Sequence, residues 1–396
     1  MKSLEHSGRD KVRVLINGLH ARSGGGVTYL RNILSHMAED ERLELHLFLL
    51  ADQHDLFMPI DNRIRIHTLN FRPGFWYLLF WEQLVLPIVA RRLGADVTFS
   101  SANYGPLLAP APVIVLSNAV AVGTTEVRLS RRIYWRTLAL VTAISLVTCR
   151  RAIAVSDYAR DALSFGLGRW LDGKIKVVHH GVSTHFSPGK STPDTEPYLL
   201  AVGDIYIQKN LHTLVEALAI IQRRSPGIRL KIAGRRTDPF YYDKIVRLIA
   251  QRGLADSIDL LGQRSLDELR ELYRDCAVFV FPSTVETFGM PLVEAMACGA
   301  PIVCSNTAAM PEIVGECAVL CDPMDAEDMA NKILHVIEDE GLAQRLIDLG
   351  RQRSKFFSWD KAARLTADVL VEAAQNRPGH SGQRKDSKKT NIAETR

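Results

Sequence analysis

The chain has 396 residues, enough for two or three domains of about 150 residues each. Its composition, 47% hydrophobic and 23% charged, is typical of a folded protein and excludes disordered and collagen-like chains. Residues 375–396 contain six basic and two acidic residues and so carry +4 of the net charge of +5. The remaining body is close to neutral, so we expect no nucleic-acid partner.

The cysteines and the apolar runs indicate where the protein resides. None of the six cysteines forms a C-x-x-C pair, and we expect reduced thiols in the core. The apolar run near the start is too short for a signal peptide, and Leu138–Cys149 falls short of the roughly 20 residues of a spanning helix. We therefore expect a cytoplasmic protein, at most peripheral on the inner face of a membrane.

Short β-branched runs alternate with helical patterns and predict two series of strands. Strands separated by helix-length segments predict parallel sheets, and continuous apolar runs predict helices on both faces. In such sheets the ligand site lies at the carboxyl ends of the strands, here between two doubly wound α/β domains. The first series is Val12–Ile16, Leu45–Leu50, Ile64–Leu69, Val97–Ser100, Val113–Leu116, Ala152–Val155 and Ile175–Val178; the second is Tyr198–Val202, Arg229–Ala233, Ile258–Leu261, Val278–Phe281, Pro301–Val303 and Ala318–Leu320.

Composition also predicts the domain boundaries. A stretch rich in Pro, Ser and Thr separates the two series, and a last helical pattern precedes a tail without periodicity. We expect the last helix to pack back toward the first domain. The predicted segments are a first domain at 1–186, a linker at 187–197, a second domain at 198–357, the last helix at 358–375 and a disordered tail at 376–396.

A glycine cluster follows the first strand. Gly24, Gly25 and Gly26 precede a helix that we expect to begin near Val27. Glycines let the backbone approach a ligand, and the free N–H groups of a helix start can bind an anion. The spacing is not the G-x-G-x-x-G of dinucleotide-binding proteins. A tight strand-to-helix turn is an equally good interpretation.

Another loop follows the first strand of the second series and carries Gly203 and Lys209. The lysine ammonium is a compact positive charge that suits phosphate oxygens. A solvated surface lysine is the common alternative.

The richest segment contains two carboxylates, Glu286 and Glu294, on either side of a helix start at Gly289 and Pro291. Carboxylates accept hydrogen bonds from sugar hydroxyls, and the free N–H groups of Phe288–Met290 suit a diphosphate. We expect Glu294 in the first helical turn and both carboxylates in one region of the cleft. The alternatives are a solvated Glu286 and a Glu294 that stabilises the helix dipole.

The Glu-x7-Glu spacing of Glu286 and Glu294, with Phe-Gly-x-Pro between them, resembles retaining glycosyltransferase family 4. The segments LLAVG, QKN, LKIAG and EAMACGAPIV agree, and the specific similarity covers most of residues 198–359. In the first half IAVSDYAR and VVHHGVSTHFSP fit more weakly. The resemblance implies the GT-B fold, in which two Rossmann-like domains enclose a cleft.

The resemblance also implies an activity: transfer of a hexose, with mannose as the candidate, from a nucleotide diphosphate sugar to a glycan or lipid-linked hydroxyl. Neither a cofactor nor a metal is expected, and the implied setting is polysaccharide or lipopolysaccharide biosynthesis. Glu286 would bind the donor sugar, Glu294 the ribose, and Lys209 the leaving diphosphate. The other implied donor-binding residues are Gly25, Gly26, Phe288, Gly289 and Met290 around the phosphates, Gly203 beside Lys209, Asn118 at the sugar, and Gly262, Gln263 and Arg264 at the nucleobase.

Two residues depart from the family pattern. Asp204 stands where the family usually has an arginine, and Ser117 stands where it usually has a histidine. An aspartate there would repel phosphate unless it pairs with Arg235 or Arg236. These departures leave two alternatives open: a non-catalytic sugar-nucleotide-binding partner subunit, and a nucleotide-sugar epimerase of the same fold.

Two segments of the first half, 75–81 and 128–136, are rich in aromatic residues, and the second is also basic, as in membrane-surface helices. Peripheral membrane contact is one expectation for them; for 75–81 a core or interdomain helix is favoured. The three histidines His179, His180 and His185 lack ligand spacing, so a structural or solvated role is expected rather than a metal site.

Overall fold

The structure, a computed structural model, describes residues 11–22, 24–71, 74–118, 129–171, 173–189 and 197–375. Most of the predicted linker, the predicted tail and Arg128 lie outside the described residues. The described chain forms two parallel sheets, each flanked by helices. The predicted two-domain α/β architecture is confirmed, and each predicted strand overlaps an observed one.

The first domain is built on a seven-stranded parallel sheet. Its strands are β1 (Val12–Asn17), β2 (Leu43–Leu50), β3 (Arg65–Leu69), β4 (Val97–Ser100), β5 (Pro112–Leu116), β6 (Arg151–Ala154) and β7 (Ile175–Val177). Their order in the sheet is β3-β2-β1-β4-β5-β6-β7. The helices are α1 (Gly24–Met37), α2 (His54–Phe57), α3 (Phe75–Phe80), α4 (Leu86–Leu93), α5 (Leu129–Thr148) and α6 (Asp157–Leu163), and a π-helical segment (Trp81–Val85) joins α3 to α4.

The second domain is built on a six-stranded parallel sheet. Its strands are β8 (Tyr198–Val202), β9 (Arg229–Ala233), β10 (Ile258–Gly262), β11 (Val278–Phe281), β12 (Ile302–Ser305) and β13 (Val319–Cys321), in the order β10-β9-β8-β11-β12-β13. The helices are α7 (Leu211–Arg224), α8 (Pro239–Gln251), α9 (Leu266–Asp275), α10 (Met290–Cys298), α11 (Met310–Val314), α12 (Ala326–Glu338) and α13 (Glu340–Ser354).

The last helix, α14 (Trp359–Gln375), follows the second domain but packs against α1 of the first. The Trp359 and Tyr29 rings lie 6.1 Å apart, and the Arg42 Nη1 donates to the Asp368 carboxylate at 2.9 Å. The inward face of α14 is buried in the core of the first domain. The chain therefore crosses between the domains a second time.

Hydrogen bonds across the cleft join the domains at the carboxyl ends of their strands. The Thr287 hydroxyl donates to the Ser117 carbonyl at 2.5 Å, and the Ser156 hydroxyl donates to the Thr287 carbonyl at 2.5 Å. The Glu312 carboxylate accepts the first two N–H groups of α6 at 2.8 and 2.9 Å. These contacts fix the two walls of the cleft relative to each other.

Candidate active site

A cavity of about 500 Å³ lies between the domains, and we call it the interdomain cavity. Its first-domain wall contains amide, hydroxyl and aromatic side chains, whereas its second-domain wall contains carboxylates and polar groups. The first wall is formed by Ser117, Asn118, Tyr134, Trp135 and Leu138, and the second includes Asp204, Tyr206, Gln208, Asp238, Glu286 and Thr287. Of the predicted site residues, Glu286 and Asn118 therefore lie in one cavity.

Glu286, on the second-domain wall, forms an ion pair with the buried Lys209. The Lys209 Nζ lies 2.7 Å from Glu286 Oε1, and 4.9 Å from the centre of the Phe281 ring. Burial lowers the pKa of Lys209, but Glu286, Tyr206 and Asp204 together outweigh that effect, and the pKa is raised. Lys209 is therefore a permanent cation, and it is not the solvated surface lysine of the alternative interpretation.

The loop after β8 fixes Lys209 through the residue that follows it. Residues 207–209 form a 3₁₀ turn, and Asn210 ends it with a left-handed φ of 53°. The buried Asn210 amide donates to the carbonyls of Pro282 at 3.0 Å and Pro323 at 2.6 Å. Because both acceptors lie in other loops of the second domain, this side chain holds Lys209 at the cleft.

Gly203 is needed because Lys209 packs directly over it. A Cβ at Gly203 would lie 2.8 Å from the Lys209 Cε, and the residue has a φ of 149° that side chains rarely adopt. A Cβ at the neighbouring Gly234 would meet the Gly203 carbonyl at 1.9 Å. The glycines at the ends of β8 and β9 therefore allow close packing of the loops that carry the cations.

Asp204 does not stand alone: it forms an ion pair with Arg235. Its carboxylate accepts from the Arg235 Nε at 3.0 Å and Nη2 at 2.5 Å. The other candidate partner, Arg236, donates to Asp243 at 2.7 Å. The hydrogen bond to Asp204 raises the pKa of Arg235. Of the two partners considered from the sequence, the structure thus selects Arg235.

The glycine cluster forms the start of α1. The helix begins at Gly24, so the prediction of a start near Val27 is wrong by three residues. Gly24 has a φ of 58°, which glycine tolerates and which turns the chain from the loop into the helix. Gly25 and Gly26 are exposed in this first turn, where helical N–H groups have no partner within the helix.

Glu294 lies apart from Glu286. Because α10 begins at Met290, Glu294 is the fifth helical residue, and its predicted place in the first turn is wrong. Its carboxylate accepts from the Tyr273 hydroxyl at 3.0 Å, and it is not among the residues that line the interdomain cavity. Burial raises the pKa of Glu294 to about 7. A role at the ribose stays a prediction.

The residues before α10 anchor its N-terminus. Gly289 has a φ of 91°, and the buried Phe288 ring lies 4.9 Å from the His180 ring. Burial lowers the pKa of His180 to about 3, so this histidine is neutral. Phosphate contacts by the N–H groups of Phe288, Gly289 and Met290 stay predictions.

The proposed nucleobase segment follows β10 directly. Gly262 ends the strand with a φ of 70°, and its carbonyl accepts the Gly234 N–H at 2.9 Å. Gln263 is exposed, and Arg264 turns to Glu268, donating to its carboxylate at 3.1 Å. The Arg264 side chain therefore has a structural partner, whereas the backbone of the segment lies next to that of the loop after β9.

Two family descriptions match consecutive parts of the chain. Residues 23–186 match Glycosyltransferase Family 4, and residues 183–353 match Glycosyl transferases group 1. Together the two matches cover both domains and the cleft between them. The chain belongs to the GT-B glycosyltransferases.

Individual proteins that are similar to this GT-B glycosyltransferase have low sequence identity to it. O-antigen chain mannosyltransferase B of Escherichia coli is 29% identical over 240 residues, which are 57% of this chain and 61% of the relative. The chain thus matches about three fifths of the relative's length. Sucrose-phosphate synthase from Thermosynechococcus elongatus has a similar structure, with a TM-score of 0.76 and 20% identity over 91% of this chain and 99% of that one. The structure of Anabaena Alr3699/HepE in complex with UDP-glucose is also similar, with a TM-score of 0.73 and 18% identity over 91% of this chain and 100% of that one.

A residue that was not among the predicted site residues, Asn103, shapes the first-domain wall of this glycosyltransferase. The buried Asn103 accepts the N–H groups of Ser117 and Asn118 at 2.8 and 2.9 Å and donates to the Asn118 carbonyl at 2.8 Å. This side chain therefore fixes the loop after β5 at the cavity. No local pattern marks Asn103, because its partners lie 14 and 15 residues away in the sequence.

The histidines after β7 have different environments, and one lies in an acidic cluster. Oxygen and nitrogen atoms of Asp157, His179 and Glu312 lie within 4.8 Å of one another. The His179 Nε2 lies 2.9 Å from the Glu312 carboxylate, whose oxygens also accept backbone N–H groups of α6. The cluster is thus explained as a contact between the domains.

The segment 75–81 has one side in the core of the first domain, as expected, and exposes the other. Leu78 and Trp81 are buried, but Trp76 is 71% exposed and Phe80 is 59% exposed. Tyr77, Leu84 and Ile88 are exposed on the same helical stretch, and we call these five side chains the aromatic surface. Among the described residues, no helix has the length and apolarity needed to span a bilayer.

Proposed function

We propose that this protein transfers a hexose from a nucleotide diphosphate sugar to a hydroxyl of a glycan or lipid-linked acceptor. The observation that carries the proposal is the pair of Lys209 and Glu286, whose charged atoms lie 2.7 Å apart and whose carboxylate lines a cavity between two Rossmann-like domains. A cation that neutralises a diphosphate and a carboxylate that binds sugar hydroxyls are the two groups that this transfer requires.

In the proposed reaction the bond between the anomeric carbon and the diphosphate oxygen breaks, and the electron pair stays on the diphosphate. Lys209 stabilises this growing negative charge, and Glu286 holds the donor sugar by its hydroxyls. The acceptor oxygen bonds to the anomeric carbon on the same face, so the configuration is retained. The acceptor proton passes to a phosphate oxygen of the leaving group, and no metal is required.

Mannose is the proposed sugar, and assembly of a cell-surface polysaccharide or lipopolysaccharide is the proposed setting. The name of the E. coli relative, an O-antigen mannosyltransferase, supports both. A UDP-glucose complex of a protein with the same fold supports a nucleotide sugar as donor. We therefore expect GDP-mannose to be the preferred donor, with UDP-glucose as its main competitor.

A thermal-shift screen with EDTA present tests the proposal. GDP, UDP, ADP and their sugar conjugates are added in turn, and a ligand that binds the native state raises the unfolding midpoint. We expect one base to raise it clearly and a Lys209→Ala variant to lose most of the shift. No shift with any compound would contradict the proposal, and a shift that requires added Mn²⁺ or Mg²⁺ would contradict its metal-free form.

Reaction products separate transfer from the two alternatives. A transferase forms a glycosylated acceptor and a nucleoside diphosphate, whereas an epimerase changes the sugar. A non-catalytic partner subunit binds the nucleotide sugar but leaves it intact. The protein is therefore incubated with GDP-mannose or UDP-glucose and a membrane extract as the source of acceptor. Mass spectrometry of the products decides among the three activities.

We further propose that the aromatic surface contacts the membrane that carries a lipid-linked acceptor. Its five exposed apolar side chains are followed on α4 by the exposed Arg91 and Arg92, a combination that favours anionic lipids. Vesicles of phosphatidylglycerol and phosphatidylethanolamine should co-sediment the protein, and a double Trp76→Ala, Phe80→Ala variant should lose this binding. Trp170→Ala is the matched control, because Trp170 is 89% exposed but lies after α6. Equal binding by the double variant would contradict the proposal.

A further inference from the structure

Arg235 is a second cation at the edge of the proposed donor site. We propose that Arg235, oriented by Asp204, binds the diphosphate of the nucleotide sugar together with Lys209. This inference rests on the proposed function, because it requires a nucleotide diphosphate sugar in the interdomain cavity. In this proposal Arg235 contacts the phosphates, and Asp204 is the positioning residue that holds Arg235.

The Asp204 carboxylate holds the whole of Arg235 in place. It accepts from the Arg235 backbone N–H at 3.2 Å, from Nε at 3.0 Å and from Nη2 at 2.5 Å. The Arg235 carbonyl accepts the N–H of Ile205 at 2.8 Å, so the loops after β8 and β9 are joined on both sides of the pair. Since Asp204 lines the interdomain cavity, the guanidinium is fixed at the edge of that cavity.

The pairing leaves most of the guanidinium available to an anion. Asp204 uses the Nε–H and one N–H of Nη2, and a guanidinium has about five N–H donors in total. Within the described ranges, Nη1 has no hydrogen-bond partner, and the side chain is 35% exposed. The planar N–H groups of a guanidinium match the geometry of phosphate oxygens. The Asp204 carboxylate, bound to one edge of the guanidinium, orients it before a phosphate binds.

The guanidinium faces the start of α1 across the cleft. A Cβ at Gly24 would lie 3.7 Å from the Arg235 Nη2 and 4.0 Å from the Asp204 Oδ2. The first turn of α1 offers free N–H groups and the positive end of the helix dipole. An anion between the domains is therefore within reach of both Arg235 and this turn.

The same pair accounts for an aspartate beside a phosphate site. Asp204 without a partner would repel the donor, but paired with Arg235 it forms a unit without net charge, in which the Arg235 side chain is 35% exposed. The neighbouring pair of Lys209 and Glu286 is built in the same way, with a cation and a carboxylate in contact. Two such pairs therefore stand where the diphosphate is proposed to bind.

Arg236 provides a matched control from the next position. Its Nη2 donates to Asp243 at 2.7 Å, and its guanidinium lies 4.6 Å from the centre of the Tyr242 ring. Both partners belong to α8, so Arg236 does not share the contacts of Arg235 with Asp204 and Gly24. Replacing Arg236 therefore removes the same charge from the same loop.

The test compares Arg235→Gln and Arg236→Gln by isothermal titration with a nucleoside, its monophosphate and its diphosphate. The guanosine and uridine series are both used, and each variant is first checked for a native unfolding midpoint. For Arg235→Gln we expect the affinity for the diphosphate to fall about 10- to 100-fold, and the affinity for the nucleoside to stay unchanged. Arg236→Gln should bind all three ligands like the wild type.

Two outcomes overturn the inference. Wild-type diphosphate affinity in Arg235→Gln shows that the residue does not contact phosphate, and an equal loss for all three ligands shows a merely structural role. If Arg235→Gln does not fold, Arg235→Lys replaces it. Lysine keeps the positive charge but lacks the planar N–H groups of the guanidinium, so we expect a smaller loss of affinity that is again confined to the diphosphate. A wild-type protein that binds no diphosphate contradicts the proposed function itself, so the two failures are distinguishable.

Discussion

The two walls of the interdomain cavity differ in chemistry. The second-domain wall presents two carboxylates that are already paired with cations, Glu286 with Lys209 and Asp204 with Arg235. The first-domain wall presents Asn118 and the aromatic side chains Tyr134 and Trp135. Charged pairs suit a diphosphate and sugar hydroxyls, whereas aromatic faces suit the apolar faces of a sugar ring. Under the proposed function, we therefore expect the charged wall to bind the diphosphate and the aromatic side chains of the other wall to contact the acceptor.

The largest expected effect comes from Glu286 on the charged wall. Glu286→Gln keeps the volume but removes the charge that pairs with Lys209, and we expect turnover to fall about 100- to 1,000-fold. Release of nucleoside diphosphate measures this, and the exposed Glu316→Gln is the control. Near-normal turnover in Glu286→Gln would remove the proposed site.

Lys209→Ala should have the next largest effect, on binding. Losing a cation that contacts phosphate should weaken diphosphate affinity about 10- to 100-fold while nucleoside affinity stays the same. Titration calorimetry measures both, with the exposed Lys244→Ala as the control. Equal losses for both ligands would mean that Lys209 serves only to hold the loop.

A smaller effect is expected on the other wall. Tyr134→Ala removes one aromatic face from the cavity, and the KM for the acceptor should rise about 2- to 10-fold. The affinity for the donor diphosphate should not change, because the charged wall is intact. A variant that loses donor affinity instead would break the division between the walls.

The smallest effect concerns Glu294 and pH. Burial raises its pKa from the ordinary 4.5 to about 7, so between these values the folded state holds a proton that the unfolded state releases. This group therefore makes the free energy of unfolding decrease as the pH rises through that window. Denaturant titrations at several pH values should show a weaker decrease in Glu294→Gln, and no difference from the exposed Glu338→Gln would contradict the assignment.

The elements of the fold were predictable because each strand depends on a local apolar run. Lys209 and Glu286 were predictable as candidates because each follows such a strand at its carboxyl end. The partners were harder to predict. Tyr273 meets Glu294 from a different helix, and sequence alone left Arg235 and Arg236 equivalent beside Asp204.

The early start of α1 and the position of Asn103 also could not be predicted from local sequence patterns. The helix begins at Gly24, where a left-handed φ turns the chain into the helix, and no apolar periodicity reveals such a turn. Asn103 holds the loop of Ser117 through hydrogen bonds between segments that packing brings together. Local patterns thus predict elements, whereas tertiary packing selects the contacts of the site.

A crystal structure with the nucleoside diphosphate that gives the largest thermal shift tests the central claim most directly. The account predicts the diphosphate between the first turn of α1 and Lys209, with the Lys209 Nζ within hydrogen-bond distance of a phosphate oxygen. A diphosphate bound outside the interdomain cavity, away from Lys209 and Glu286, would contradict it.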